Sequence, residues 1–289
     1  MFKWHLSALL VACIWGSTFV SSKVLLNAGL TPADIMCLRF ALAWLVMLFW
    51  GNIRFTRDEG WFVLLGLSGG SIYFLAENTA VQLTSYTSTV ALLVSTTPII
   101  SALMNRLVHP NEKLSMRFLC GSLVALAGVS LVVFNGVFVL DDDPLVIFLS
   151  IGAALMWGIY SLVLRKTEGR YTTFYITRKV FFWGVITMLP VCLFETNQVS
   201  LGTLLTPAVL GNLLFLAVIA SLGCFLLWNI AIHKIGIIAS NNYLYFPPVT
   251  TLIVAHWVLG EHITWLAIIG CILTILGVWF AQKKDAIYN

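Results

Sequence analysis

Ionisable side chains inside apolar stretches are the first candidates for chemistry in this chain. Glu77, Lys23 and Arg39 each interrupt a run of hydrophobic residues. A carboxylate in hydrocarbon is costly unless it is paired, protonated or wetted by a cavity. Glu77 can form an ion pair with Lys23 or Arg39, gate a path, or exchange a proton. A structural ion pair or a wet interfacial position fits the same residue types. Aromatic and polar residues in the same stretches are the candidates for holding a solute: Trp15, Ser17, Tyr73, Asn78, Thr97, Trp157, Tyr160, Asn242 and Tyr243. At about 1.5 Å per helical residue, Trp15 lies about 15 Å and Trp157 about 18 Å into their segments, near a bilayer midplane. Each has a glycine beside it, Gly16 and Gly158, that permits close helix contact or a local break. The densest polar run, Ser240-Asn241-Asn242-Tyr243, ends at Tyr245-Phe246-Pro247-Pro248, and its counterpart is Ser95-Thr96-Thr97-Pro98. Proline inside a span frees backbone carbonyls for a ligand or bends the helix.

The elements that must position these residues are membrane helices. Hydrophobic residues make up 60% of 289 residues and charged ones 10%, with mean hydropathy +0.96. Ten apolar stretches, at about 5–27, 31–50, 60–80, 85–108, 115–134, 145–164, 173–194, 208–232, 236–259 and 264–281, each approach the roughly 20 residues a spanning helix needs. The runs are continuous, which argues against a β-barrel. The first stretch lacks a short apolar core with a small-residue cleavage site, so it is read as a span and not a signal peptide.

Basic residues set the orientation. With the N-terminus inside, 12 of the 16 Lys and Arg fall in cytoplasmic segments and none in an outer loop. The net charge of +4 is then an insertion signal and not a nucleic-acid footprint. Both termini are expected in the cytoplasm of a cell (inner) membrane.

The chain repeats itself. Trp15-Gly16 recurs as Trp157-Gly158, Arg39 as Arg178, Asn78-x-Ala80 as Asn229-x-Ala231, and Pro98, Glu112, Gly121 and Gly128 as Pro247, Glu261, Gly270 and Gly277. Five spans per copy is odd, so the second copy, 141–289, must be inverted relative to the first, 1–140. The expected fold is an all-α integral membrane protein with ten transmembrane helices in two inverted five-helix repeats. Duplication of Arg39/Arg178 and Glu112/Glu261 suggests scaffold roles for them.

These ordered, duplicated motifs resemble the EamA-type transporters of the drug/metabolite transporter superfamily. The resemblance rests on Trp15-Gly16-Ser17, Arg39-Phe40, Pro98, Glu112-Lys113-Leu114 and Gly121/Gly128, echoed by Trp157-Gly158, Arg178, Pro247, Glu261-His262-Ile263, Gly270 and Gly277. It implies ten helices and a central cavity lined mainly by spans 1, 3, 4, 6, 8 and 9. It also implies carriage of small metabolites, often export of amino acids or related compounds.

No glycine-rich phosphate loop is present, so no ATP hydrolysis and no cofactor are expected. The expected partners are a small-molecule substrate and the lipid bilayer, with proton or solute exchange as drive, and no nucleic acid. A membrane-embedded lipid-modifying enzyme would need clustered His, Asp or Ser groups, which the scattered histidines do not supply. An exporter of drugs or organic cations remains an alternative within the carrier class, and a channel would need rings of like residues. Asp141-Asp142-Asp143 reads as a solvated loop, and the six cysteines as small apolar helix residues rather than a disulfide frame.

Overall fold

The computed structural model describes residues 2–49, 54–84, 87–111, 114–134, 143–167, 169–194, 199–259 and 263–282. Among them every regular element is helical: α1 (Phe2–Asn27), α2 (Pro32–Met47), α3 (Glu59–Gly66), a π-helical segment (Leu67–Ser71), α4 (Ile72–Leu83), α5 (Thr87–Val94), α6 (Thr97–Val108), α7 (Met116–Phe134), α8 (Pro144–Thr167), α9 (Thr173–Phe194), α10 (Leu201–Leu204), α11 (Pro207–Leu214), a second π-helical segment (Phe215–Gly223), α12 (Cys224–Ile235), α13 (Ile237–Asn241), a 3₁₀ turn (Asn242–Tyr245), α14 (Pro247–Leu259) and α15 (Trp265–Gln282). Eight helical stretches are long and apolar enough to cross a bilayer. Two of the expected spans are shorter: α2 has 16 residues, and the segment 237–259 is broken into α13, the 3₁₀ turn and α14. The expectations for Glu112, Glu261, Asp141 and Asp142 fall outside the described residues.

Local chemistry sets the boundaries. Thr31 and Asp34 form a reciprocal capping box with Pro32 in the first turn of α2, Thr31 accepting from the Asp34 amide and Asp34 from the Thr31 amide, both at 3.1 Å. Gly236 takes φ 86°, a left-handed conformation that closes α12 and lets α13 start at once. The two broken helices are interrupted just before Pro98 and Pro247, which cannot donate to the preceding turn. The two π-helical segments also correspond, because 67–71 shifted by the Asn78-to-Asn229 offset falls within 215–223.

In lipid, apolar burial does not drive helices together, so close packing through small residues must do so. Gly16 of α1 lies against α14. A Cβ there would overlap the Thr250 hydroxyl and stand 2.5 Å from the Pro247 carbonyl oxygen. Thr251 Oγ1 donates to the Gly16 carbonyl at 2.7 Å. Its repeat mate Gly158 of α8 lies against α6, with Met104 Sδ 2.7 Å from a Cβ position. The glycines of α7 and α15 form a second seam. Gly121 faces Gly277 and Gly128 faces Gly270, so these helices run antiparallel. Large apolar side chains on the outside, including Phe148, Phe194, Trp257 and Trp265, are exposed, as a lipid-facing surface requires.

Candidate functional site

The centre of the bundle is aromatic. Trp15 of α1 meets Trp157 of α8 edge-on at 5.1 Å between ring centroids and Trp228 of α12 at 4.9 Å. Trp157 in turn contacts Tyr73 at 5.3 Å and Tyr160 at 5.0 Å. Such pairs contribute about 0.5–1.5 kcal/mol each beyond their area. Trp15 is oriented by its indole N–H, which donates to the Ala220 carbonyl at 3.0 Å inside the second π-helical segment. Segments of this kind concentrate at functional positions.

Beside these rings is a small cavity of about 40 Å³. Trp15, Arg39, Tyr73, Glu77, Thr97 and Trp157 line it. Arg39 and Glu77 bring opposite charges to the same small space. The Arg39 guanidinium stacks over the Phe74 ring at 4.3 Å, and its Nε donates to Ser221 Oγ at 2.9 Å. Its Nη1 is buried without a hydrogen-bond partner. Glu77, 4% exposed, accepts from the Tyr73 hydroxyl one helical turn away and attracts Arg39 electrostatically. The cavity therefore holds one anion, one cation with an unused donor, and aromatic walls.

Other candidates are placed elsewhere. Lys23 does not meet Glu77: its Nζ donates to the carbonyls of Val81 and Thr84, both at 2.9 Å, closing the C-terminal end of α4. Ser17 turns back to the Ile14 carbonyl of its own helix at 2.6 Å. Tyr243 pairs with His5 and Gln282, both at 3.0 Å, and is not part of the cavity lining. Asn242 is buried next to it and is not part of the lining. Asn78 stands behind the wall with both side-chain polar atoms buried and unpartnered.

Its repeat mate Asn229 is fully engaged. Tyr160 Oη donates to Asn229 Oδ1 at 2.7 Å, and Asn229 Nδ2 donates to Thr177 Oγ1 at 3.0 Å. Asn229 also borders a second cleft of about 360 Å³ that includes Arg170, Tyr171 and His233. Tyr160 thus packs on Trp157 on one side and is bonded to this cleft's wall on the other. Tyr160→Phe leaves a buried amide oxygen unpaired and is expected to cost about 1–3 kcal/mol, read as a lowered unfolding temperature in detergent. An unchanged temperature would show that the bond carries no load.

The two repeat-mate arginines have different surroundings. Arg39 lines the cavity, where Ser221 and Phe74 hold its head. Arg178 instead lies over the Tyr175 ring at 5.6 Å. By repeat offsets the positions matching Ser221 and Glu77 are Gly70 and Trp228, which carry neither hydroxyl nor charge there. Sequence reasoning missed Ser221, Phe225 and Thr18, which help to shape this space. The small residues at Ser221 and Gly223, in mid-span like Ser68-Gly69-Gly70-Ser71, were the available signal.

A multi-helix bundle of two matched parts, packed around a small charged cavity and coated with apolar side chains, defines a multi-pass membrane protein. The profile of the EamA-like transporter family matches residues 2–134 and again 144–282, and the chain belongs to that family. It is 26% identical to an uncharacterized transporter of Archaeoglobus fulgidus, with 98% of each chain covered. It is 24% identical to a probable terminal-alkyne amino-acid exporter of Streptantibioticus cattleyicolor, covering 95% of this chain and 92% of that one. A solved crystal structure shares the fold at a TM-score of 0.76 and 17% identity, over 97% of this chain and 98% of the other. The family is one of transporters, which implies a small-molecule substrate and a lipid bilayer around the protein.

Proposed function

We propose that this transporter is a secondary carrier for a small zwitterionic solute, an amino acid or close relative, exported by alternating access. The observation that carries the reading is the buried opposition of Arg39 and Glu77 between aromatic walls. A solute carboxylate would take the unused Arg39 Nη1. Its ammonium would take Glu77, with Tyr73 holding the carboxylate in place. Trp15 and Trp157 would flank the side chain, and Thr97 would offer polar atoms from the break before Pro98. A purely cationic drug suits Glu77 and the rings but meets the like charge of Arg39, which weighs against an organic-cation exporter. The name of the Streptantibioticus relative supports an amino-acid substrate and the outward direction.

The carrier would consist of two inverted five-helix halves, 1–140 and 141–289. The antiparallel pairing of repeat-related glycines in α7 and α15 supports inversion. The eight long helices together with α2 and the broken segment 237–259 would make ten spans. Both termini would face the cytoplasm of a cell membrane, as the basic residues require.

Glu77 is also the residue placed to exchange a proton. The test is counterflow of labelled amino acids into vesicles holding the purified protein, run across pH. Saturable exchange whose rate changes with pH, and loses that dependence in Glu77→Gln, is expected. Saturable exchange with the same pH profile in Glu77→Gln would remove the proton role. Unsaturable flux would remove the carrier.

A further inference from the structure

Two cysteines, read from sequence as apolar filler, meet across the bundle. Cys37 lies in the second turn of α2, and Cys192 lies two residues before the end of α9. Their sulfurs stand 3.1 Å apart. Both side chains are half-buried, and the residues after Cys192, Leu193 and Phe194, are largely exposed. Each cysteine belongs to a different family-matched half of the chain. The remaining cysteines, Cys13, Cys120, Cys224 and Cys271, show no such sulfur–sulfur approach among the described contacts.

A protein disulfide needs its sulfurs at about 2.0 Å, with Cα atoms usually about 4.4–6.8 Å apart. From 3.1 Å the sulfurs must close by about 1 Å to bond. We propose that Cys37 and Cys192 are a modification site, at which a small-molecule disulfide converts the two thiols into a covalent bridge between the halves of the carrier. The Cys192 thiolate, nearer the helix end, attacks one sulfur of the small disulfide and expels one small thiolate. The Cys37 thiolate then attacks Cys192 in the mixed disulfide and expels the second. Both cysteines are oxidised, one small disulfide is reduced to two thiols, and the two protein protons leave with those thiols.

In the proposed orientation α2 begins and α9 ends on the outer side, where thiols meet an oxidising compartment. The cellular part of the proposal rests on that orientation, whereas the chemistry rests on the geometry alone. The test inserts a specific protease site between residues 134 and 144, outside both family-matched segments. Purified protein is treated with oxidised glutathione, alkylated, cleaved and run without reductant. The halves are expected to migrate together and to separate after dithiothreitol. Cys37→Ser and Cys192→Ser should each abolish the joined species, and Cys271→Ser should not.

If the inserted site prevents folding, mass spectrometry of uncleaved wild-type protein reads the same bond, as a linked peptide pair lighter by two hydrogens than its parts. Halves that separate before reduction, or no linked pair, overturn the bridge. A bridge formed by purified protein, with both thiols reduced in intact cells, overturns instead the orientation on which the cellular role rests.

Discussion

Arg39→Gln is expected to cut amino-acid counterflow by about a hundredfold, whereas Arg178→Gln leaves it within about threefold of the wild-type rate. The two arginines are repeat mates of similar burial, so the contrast isolates their surroundings. Arg39 is held by Ser221 and Phe74 and faces Glu77 across the cavity. Glutamine removes the only cationic group in the cavity lining and leaves Glu77 buried without its counter-charge. Breaking such an arrangement from one side costs about 3–5 kcal/mol, and each 1.4 kcal/mol is about a factor of ten. Part of that cost falls on the empty protein, which is why the expected loss of rate is about two decades rather than three. Arg39→Lys keeps the charge and loses the planar fork, so it should retain an intermediate rate. Quenching of the tryptophan cluster by a panel of amino acids selects the solute for counterflow. Arg39→Gln protein that transports that solute within about threefold of wild type would sink the carboxylate role.

Much of this arrangement is legible in the sequence, and its limits have physical causes. The helical class follows from long apolar runs, and the correspondence of the halves from Trp15/Trp157, Pro98/Pro247 and the four paired glycines. Both proline-marked breaks occur where they were read, because a missing amide proton acts locally. The fate of Asn242 and Tyr243 was not legible. Polarity shows that a residue must find a partner but not which one, and Tyr243 finds His5 and Gln282, each far away in sequence. Lys23 misled for the same reason, since a cation is satisfied as well by two helix-end carbonyls as by a carboxylate. Duplication alone did not tell Arg39 from Arg178. Duplication fixes the position of the side chain, but Ser221 and Glu77, which direct it, are not duplicated. The π-helical segments were invisible because they depend on backbone registration between helices: α2 packs on the segment in the second half, and α9 on that in the first.

The second large effect lies in the seam of α7 and α15, whose glycines are not part of the cavity lining. Gly277→Ala is expected to destabilise the protein by about 1–3 kcal/mol, read as earlier loss of the folded, monodisperse species on heating in detergent. A Cβ at Gly277 would stand 2.7 Å from the Gly121 carbonyl oxygen and 2.8 Å from Ala125 Cα. These are backbone atoms, so no rotamer change relieves the contact and the two helices must separate. Gly152→Ala is the control. Nothing lies within 4 Å of its Cβ position, and alanine in a helix interior gains about 0.5–1 kcal/mol. The contacts also come in reciprocal sets. Gly121 meets Ala281 as Gly270 meets Val132, and Gly128 meets Thr274 as Gly277 meets Ala125. Each set maps onto its mate by the offset that relates Pro98 to Pro247. If the halves are related by a two-fold axis, Gly121→Ala should match Gly270→Ala, and Gly128→Ala should match Gly277→Ala. Losses that instead group by helix, with the α7 pair differing from the α15 pair, would show that the seam lacks that symmetry, and the inverted arrangement would lose its best physical support.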